Sequence, residues 1–169
     1  MRRALVVGFV LALATVLMIP AMGAGEQRNF RAHLTGDNEV PPVDTNAQGQ
    51  AIFQLNAAGD QLSYKLITAN ILDVAQAHIH CGGPDVNGPV VAFLYPSGPP
   101  PVVIPGRSDG VLAEGVVTAA QVIPRPDSPE CPGGLADFEQ LIEKMRAGET
   151  YTNVHTVANP GGAIRGQNR

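Results

Sequence analysis

Two short stretches carry the residues best suited to chemistry: AHIHCGG over 77–83 and NVHT over 153–156. Imidazole nitrogen and cysteine sulfur are metal donors. In an extended chain, residues two apart share a face. His78 and His80 therefore stand side by side with Ile79 opposed, and Asn153 and His155 share a face with Val154 opposed. If these two strands meet, three imidazoles converge. Three nitrogen donors suit copper or zinc and leave a further position for water or substrate. The alternative is that the same histidines bond to loop backbone and to one another. Arg165, on the last strand of the chain, either pairs with a carboxylate or lines the face that holds the histidines; the structural pair is the simpler role. His33 shares a strand face with Arg31 and is read as solvated.

The chain holds two cysteines, Cys81 and Cys131. Paired, they close a loop worth roughly 4 kcal/mol in the chain-entropy account. Unpaired, Cys81 beside His80 is a candidate ligand or activated thiol. An even cysteine count in an exported chain favours the disulfide. No G-x-S-x-G turn, phosphate-binding glycine loop or nucleophile-and-base pair is present. No catalytic residue is assigned, and the reading leans away from an enzyme.

The elements that must position these residues read mostly as strands. Phe30, Ala32 and Leu34 alternate with Arg31 and His33. Segments 49–55 and 62–67 flank the turn signal Gly59-Asp60 and suit a hairpin. Further strand candidates run over 74–80, 89–94, 110–119, 150–156 and 163–167. Between the last two, Asn159-Pro160-Gly161-Gly162 is a turn. Leu135, Phe138, Leu141, Ile142 and Met145 recur at helical spacing, and Gly148 supplies a stop, so one short helix is expected near 135–147. The proline-rich stretches 96–106 and 124–134 read as loops that cover the surface. Short strands with frequent turns imply a mainly β fold, an antiparallel Greek-key-like β-sandwich.

With 169 residues the chain is long enough for one domain. Arg2 and Arg3, an apolar run over 4–19 and small residues at 21–24 form a secretory signal pattern, cut after Gly23. That run is short of the roughly 20 residues a spanning helix needs. The expected organisation is a signal peptide over 1–23 and one domain over 24–169, exported to the periplasm or medium with no membrane anchor after cleavage. Without Arg2 and Arg3, Lys plus Arg falls from 11 to 9 against 15 Asp plus Glu, a formal charge of −6. An acidic chain with no basic cluster excludes nucleic acid as a partner.

Three blocks, FRAHLTGDNEVPPVDTNAQGQAIF, AHIHCGGPDVNGPVVAFL and GETYTNVHTVANPGGAIRGQ, together resemble the CHRD domain, first named in chordin and found singly in exported bacterial proteins. The resemblance spans about Phe30 to Gln167. Chordin binds growth factors outside the cell, so the resemblance implies a non-enzymatic extracytoplasmic binding module, with a protein or small-ligand partner that stays open. The family often carries Glu where this chain has Ala163, a carboxylate this member lacks beside Arg165. The order His-x-His, later Val-His, then a glycine turn and arginine is also similar to the copper ligands and arginine of copper–zinc superoxide dismutases. This chain lacks their bridging histidine and zinc loop. What that similarity leaves is the alternative reading: one copper or zinc ion on His78, His80 and His155, with Asn153 and Arg165 supporting.

Overall fold

The structure is a computed structural model that describes residues 26–169. The expected signal peptide lies outside the described residues. No helix among the described residues is long and apolar enough to cross a membrane.

Seven strands and one α-helix make up the domain: β1 (Asn29–Thr35), β2 (Gln48–Leu55), β3 (Leu62–Cys81), β4 (Val90–Tyr95), β5 (Ile104–Val117), α1 (Phe138–Arg146), β6 (Thr150–Thr156) and β7 (Ile164–Gln167). The mainly β character with one short helix is as the sequence implies. The expected division into two sandwiched sheets is not clear. Instead β1, β2, β3, β6 and β7 pair in sequence and β7 returns to β1, closing a five-stranded antiparallel barrel, with β4 and β5 added on β3. Closure removes free strand edges among the five members.

The central element is β3. It joins two segments that the sequence suggests as separate strands. Between them Asn70 and Asp73 take positive φ, 58° and 48°, a conformation Asn and Asp tolerate better than most residues. The ladder to β5 shifts register on either side of this stretch. Asp109 accepts from Asn70 N at 2.7 Å, and Asp73 accepts from Gly106 N at 2.7 Å, so displaced backbone donors keep partners. These bulges re-aim the strand. Its first half pairs β2 and β5, and its second half pairs β4 and β6. The expected hairpin between β2 and β3 forms, with Leu55 opposite Leu62 and Gly59 at φ 78° in the turn.

The barrel interior is filled by inward residues of alternating strands, among them Phe30, Leu34, Phe53, Leu62, Leu66, Ile79 and Val154, all essentially inaccessible. Helix α1 begins where Asp137 Oδ1 accepts from Gln140 N at 2.9 Å, an N-cap. It buries Phe138, Leu141, Ile142 and Met145. Leu135 is buried too, yet it precedes the helix and forms a short bridge with Arg125. The second proline-rich loop acts as a cover: Arg125 Nε donates to Val90 O at 3.0 Å and Ile123 N to Val91 O at 2.8 Å, along β4. The first is shorter than expected, because β5 already begins at Ile104.

Candidate metal centre

The ladder between β3 and β6 sets the geometry. His78 lies opposite Asn153, His80 opposite Tyr151, and Gln76 opposite His155. Directly opposed residues in an antiparallel pair place their Cβ atoms about 4.5–5.5 Å apart. His78 and Asn153 thus form the central pair of one face, with His155 and His80 on the diagonals. All four are buried, His80 being the most accessible at 8%. Phe93 of β4 meets the His78 ring edge-on at 4.7 Å, and Tyr151 stacks on His80 at 4.7 Å.

Hydrogen bonds fix where the ring protons sit. His155 Nδ1 stands 2.9 Å from Pro160 O, in the turn after β6. A carbonyl only accepts, so Nδ1 carries the proton and Nε2 of the neutral ring keeps a lone pair. His80 Nδ1 stands 2.8 Å from Gly88 O, which by the same logic leaves His80 Nε2 bare. His78 Nδ1 lies 3.1 Å from His155 Nε2 and must donate to it, so His78 Nε2 is bare as well. His78 Nε2, His80 Nε2 and Asn153 Oδ1 are all buried without a partner. The cluster holds more lone pairs than protons to satisfy them.

Burial also keeps the rings neutral. It pushes His78 down to about 3, helped by the charge His155 and His80 would carry if protonated. It pushes His80 down to about 4, against the opposing pull of the Gly88 carbonyl. His155 is lowered by burial, against the Pro160 carbonyl. Deprotonated imidazole is the form that ligates metal.

One ring nitrogen from each histidine lies within 4.8 Å of the other two. Metal–nitrogen bonds of about 2.0–2.1 Å set tetrahedral donors about 3.3 Å apart and any two donors at most about 4.2 Å apart. His78 and His155 already meet that spacing; the rest is a side-chain adjustment on the order of 1 Å. Among the described residues no other group of three His, Cys, Asp or Glu is so placed.

Cys81 is not a ligand. It pairs with Cys131, and both are fully buried. The bond ties the end of β3 to the loop before α1. Gly88 sits against the end of β3 so closely that a Cβ there would stand 1.6 Å from Cys81 O. This close approach brings the Gly88 carbonyl to His80.

Arg165 is buried, and among the described residues no carboxylate lies in ion-pair range of it. It serves the loop instead: Nη2 donates to Gly83 O at 2.7 Å and Val86 O at 2.8 Å, Nη1 to Asn87 Oδ1 at 3.2 Å, and its guanidinium lies over the Tyr151 ring. His33 is exposed, as expected. Glu39 has no counterpart in the sequence reading. It is 5% exposed, Oε1 has no partner, and burial raises it to about 7 against the pull of Arg165. It packs at Gly162, whose φ of 136° and missing Cβ leave room for the carboxylate. Tyr151 also went unread, although its place two residues before Asn153 puts it on the same face. Glu39 and Arg165 line an open cleft of about 540 Å³ with His33, Asp37, Asp85 and Arg169, none of the three clustered histidines among its walls.

Comparison with curated proteins and with solved structures finds no match. The family comparison does: the CHRD domain matches residues 30–168, nearly all of the described chain. The CHRD domain is an extracellular domain type, and the buried disulfide fits that setting. The chain belongs to the CHRD domain family.

Proposed function

We propose that this CHRD domain is the metal-binding module of an exported protein, holding one copper or zinc ion on His78, His80 and His155. The observation that carries the reading is the surplus of buried lone pairs. Each buried acceptor left unpaired costs about 1–3 kcal/mol, and two imidazole nitrogens and an amide oxygen stand so in one dry pocket. A cation between the rings would take up the His80 and Asn153 lone pairs and replace the proton that His78 Nδ1 shares with His155. The donors are neutral imidazoles with no thiolate, a set that suits copper or zinc. Metal analysis of protein from its native compartment tests this. The wild type is expected to carry close to one equivalent, and the His78→Ala/His80→Ala protein none. Substoichiometric metal in the wild type, or equal amounts in both, removes the reading.

A second reading, binding through protein or ligand contacts without chemistry, rests on the open cleft beside Glu39 and Arg165. Crosslinking in the periplasm or medium is expected to capture one specific partner through residues of that cleft. Repeated capture of none removes it.

A further inference from the structure

Asn153 is the fourth polar side chain on the histidine face, and the hydrogen bonds of the fold leave it unused. It is 3% exposed, and its Oδ1 has no partner. Buried amide oxygens are rarely left so. The ladder places it directly opposite His78 and two residues from His155 on the same face of β6. Its amide also faces His80. The His80 atom free to meet it is Nε2, because Nδ1 is committed to Gly88 O. With the amide in this orientation, two lone pairs converge with no proton between them. The Tyr151 hydroxyl is spent on Gly88, both Nη groups of Arg165, which lies opposite Asn153 on β7, are spent on Gly83, Val86 and Asn87, and Phe93 offers no donor atom.

Resting on the metal reading above, we propose that Asn153 Oδ1 is the fourth donor of that ion, closing a neutral sphere of three nitrogens and one oxygen. A sphere filled by the protein leaves no open position for substrate. Closed four-donor sites are structural, whereas catalytic ones keep a place for water. The inference therefore assigns the ion a holding role rather than a reactive one.

The test uses Co²⁺ and Zn²⁺ as probes on the full-length protein and on its Asn153→Ala and Asn153→Asp variants. The visible d–d bands of bound Co²⁺ respond to donors in direct contact. The bands are expected to shift in both variants, and in different ways. Zn²⁺ binding is expected to weaken about tenfold or more in Asn153→Ala and to survive in Asn153→Asp, where a carboxylate keeps an oxygen in place. Co²⁺ bands at the same positions in all three proteins overturn the proposal, whatever the affinities; so does Zn²⁺ binding in Asn153→Ala within twofold of wild type. A wild type that takes up neither ion overturns the metal reading itself, a result distinct from a loaded wild type indifferent to Asn153.

Discussion

His78 Nδ1 and His155 Nε2 lie 3.1 Å apart across 77 residues of sequence, and the proton between them occupies the space a cation would take. Because the bond joins β3 to β6 on the sheet face opposite Ile79 and Val154, an ion in its place would tie the same two strands. Loading with Zn²⁺ is expected to stabilise the fold by about 2.7 kcal/mol when free metal exceeds its dissociation constant a hundredfold. Thermal unfolding with and without a chelator measures this. His155→Ala is expected to unfold at one temperature in both conditions; a metal-dependent rise that persists in the variant would place the ion elsewhere.

Acid should weaken the metal-free fold through the same histidines. Folding holds His78 near 3 and His80 near 4, against 6.5 for the free side chain. The unfolded chain therefore binds more protons between these values, and stability rises with pH there. Their contribution is complete above 6.5 and is lost as pH falls from 6.5 toward 4, at up to about 1.4 kcal/mol per pH unit for each ring. Urea titrations at stepped pH should show this slope, and His78→Gln/His80→Gln should flatten it. An equal slope in the variant would assign the acid sensitivity to other groups.

Glu39 acts in the opposite sense. Its folded value is raised to about 7 from 4.5. It favours the fold most below 4.5, and that advantage is lost as pH rises through 7, where a buried carboxylate must ionise. Glu39→Gln keeps the shape and removes the charge. Its urea midpoint is expected to exceed that of the wild type at pH 8, by an amount worth roughly 1–3 kcal/mol, and to converge with it near pH 4. A difference independent of pH would show that packing, not ionisation, is at issue.

Gly88 and Gly83 make a paired test of the loop after β3. A Cβ at Gly88 meets Cys81 backbone at 1.6 Å, while one at Gly83 meets nothing within 4 Å. Gly88→Ala is expected to cost about 3 kcal/mol or more and to weaken metal binding, because the carbonyl that orients His80 must move. Gly83→Ala should stay within about 0.5 kcal/mol of wild type. Denaturant unfolding and Zn²⁺ titration of the two variants decide it; equal behaviour would remove the loop from the account of the site.

Much of this architecture was legible in local pattern. Alternation located the strands, the 3–4 spacing around Leu141 located the helix, and export with two cysteines favoured the disulfide. Two-residue periodicity alone set His78 beside His80 and Asn153 beside His155. What local pattern cannot carry is which strands pair. The sandwich expectation gave way because the bulges at Asn70 and Asp73 let one long strand serve two parts of the barrel, and Asn and Asp in mid-strand read as ordinary turn formers. Glu39 gave no signal, since nothing near the EVPP turn points to Gly162, more than a hundred residues on. The close approach of Gly88 to Cys81 was equally invisible, because a glycine in NGP reads as a turn residue whether or not another backbone lies against it. Arg165 was expected either to pair with a carboxylate or to line the histidine face; it lies opposite Asn153 on that face, and its partners are two loop carbonyls, the Asn87 amide oxygen and the Tyr151 ring.

The register of β3 against β6, with His78 opposite Asn153, has a consequence beyond the site. Side chains alternate with a period of two, so a slip of one residue in either strand carries its histidines to the opposite face of the sheet. A barrel misaligned by one residue could not bring all four proposed donors to one face. For the proposed site, occupancy by an ion and correct alignment of the two strands would then be a single condition, so that binding would report the register of β3 against β6.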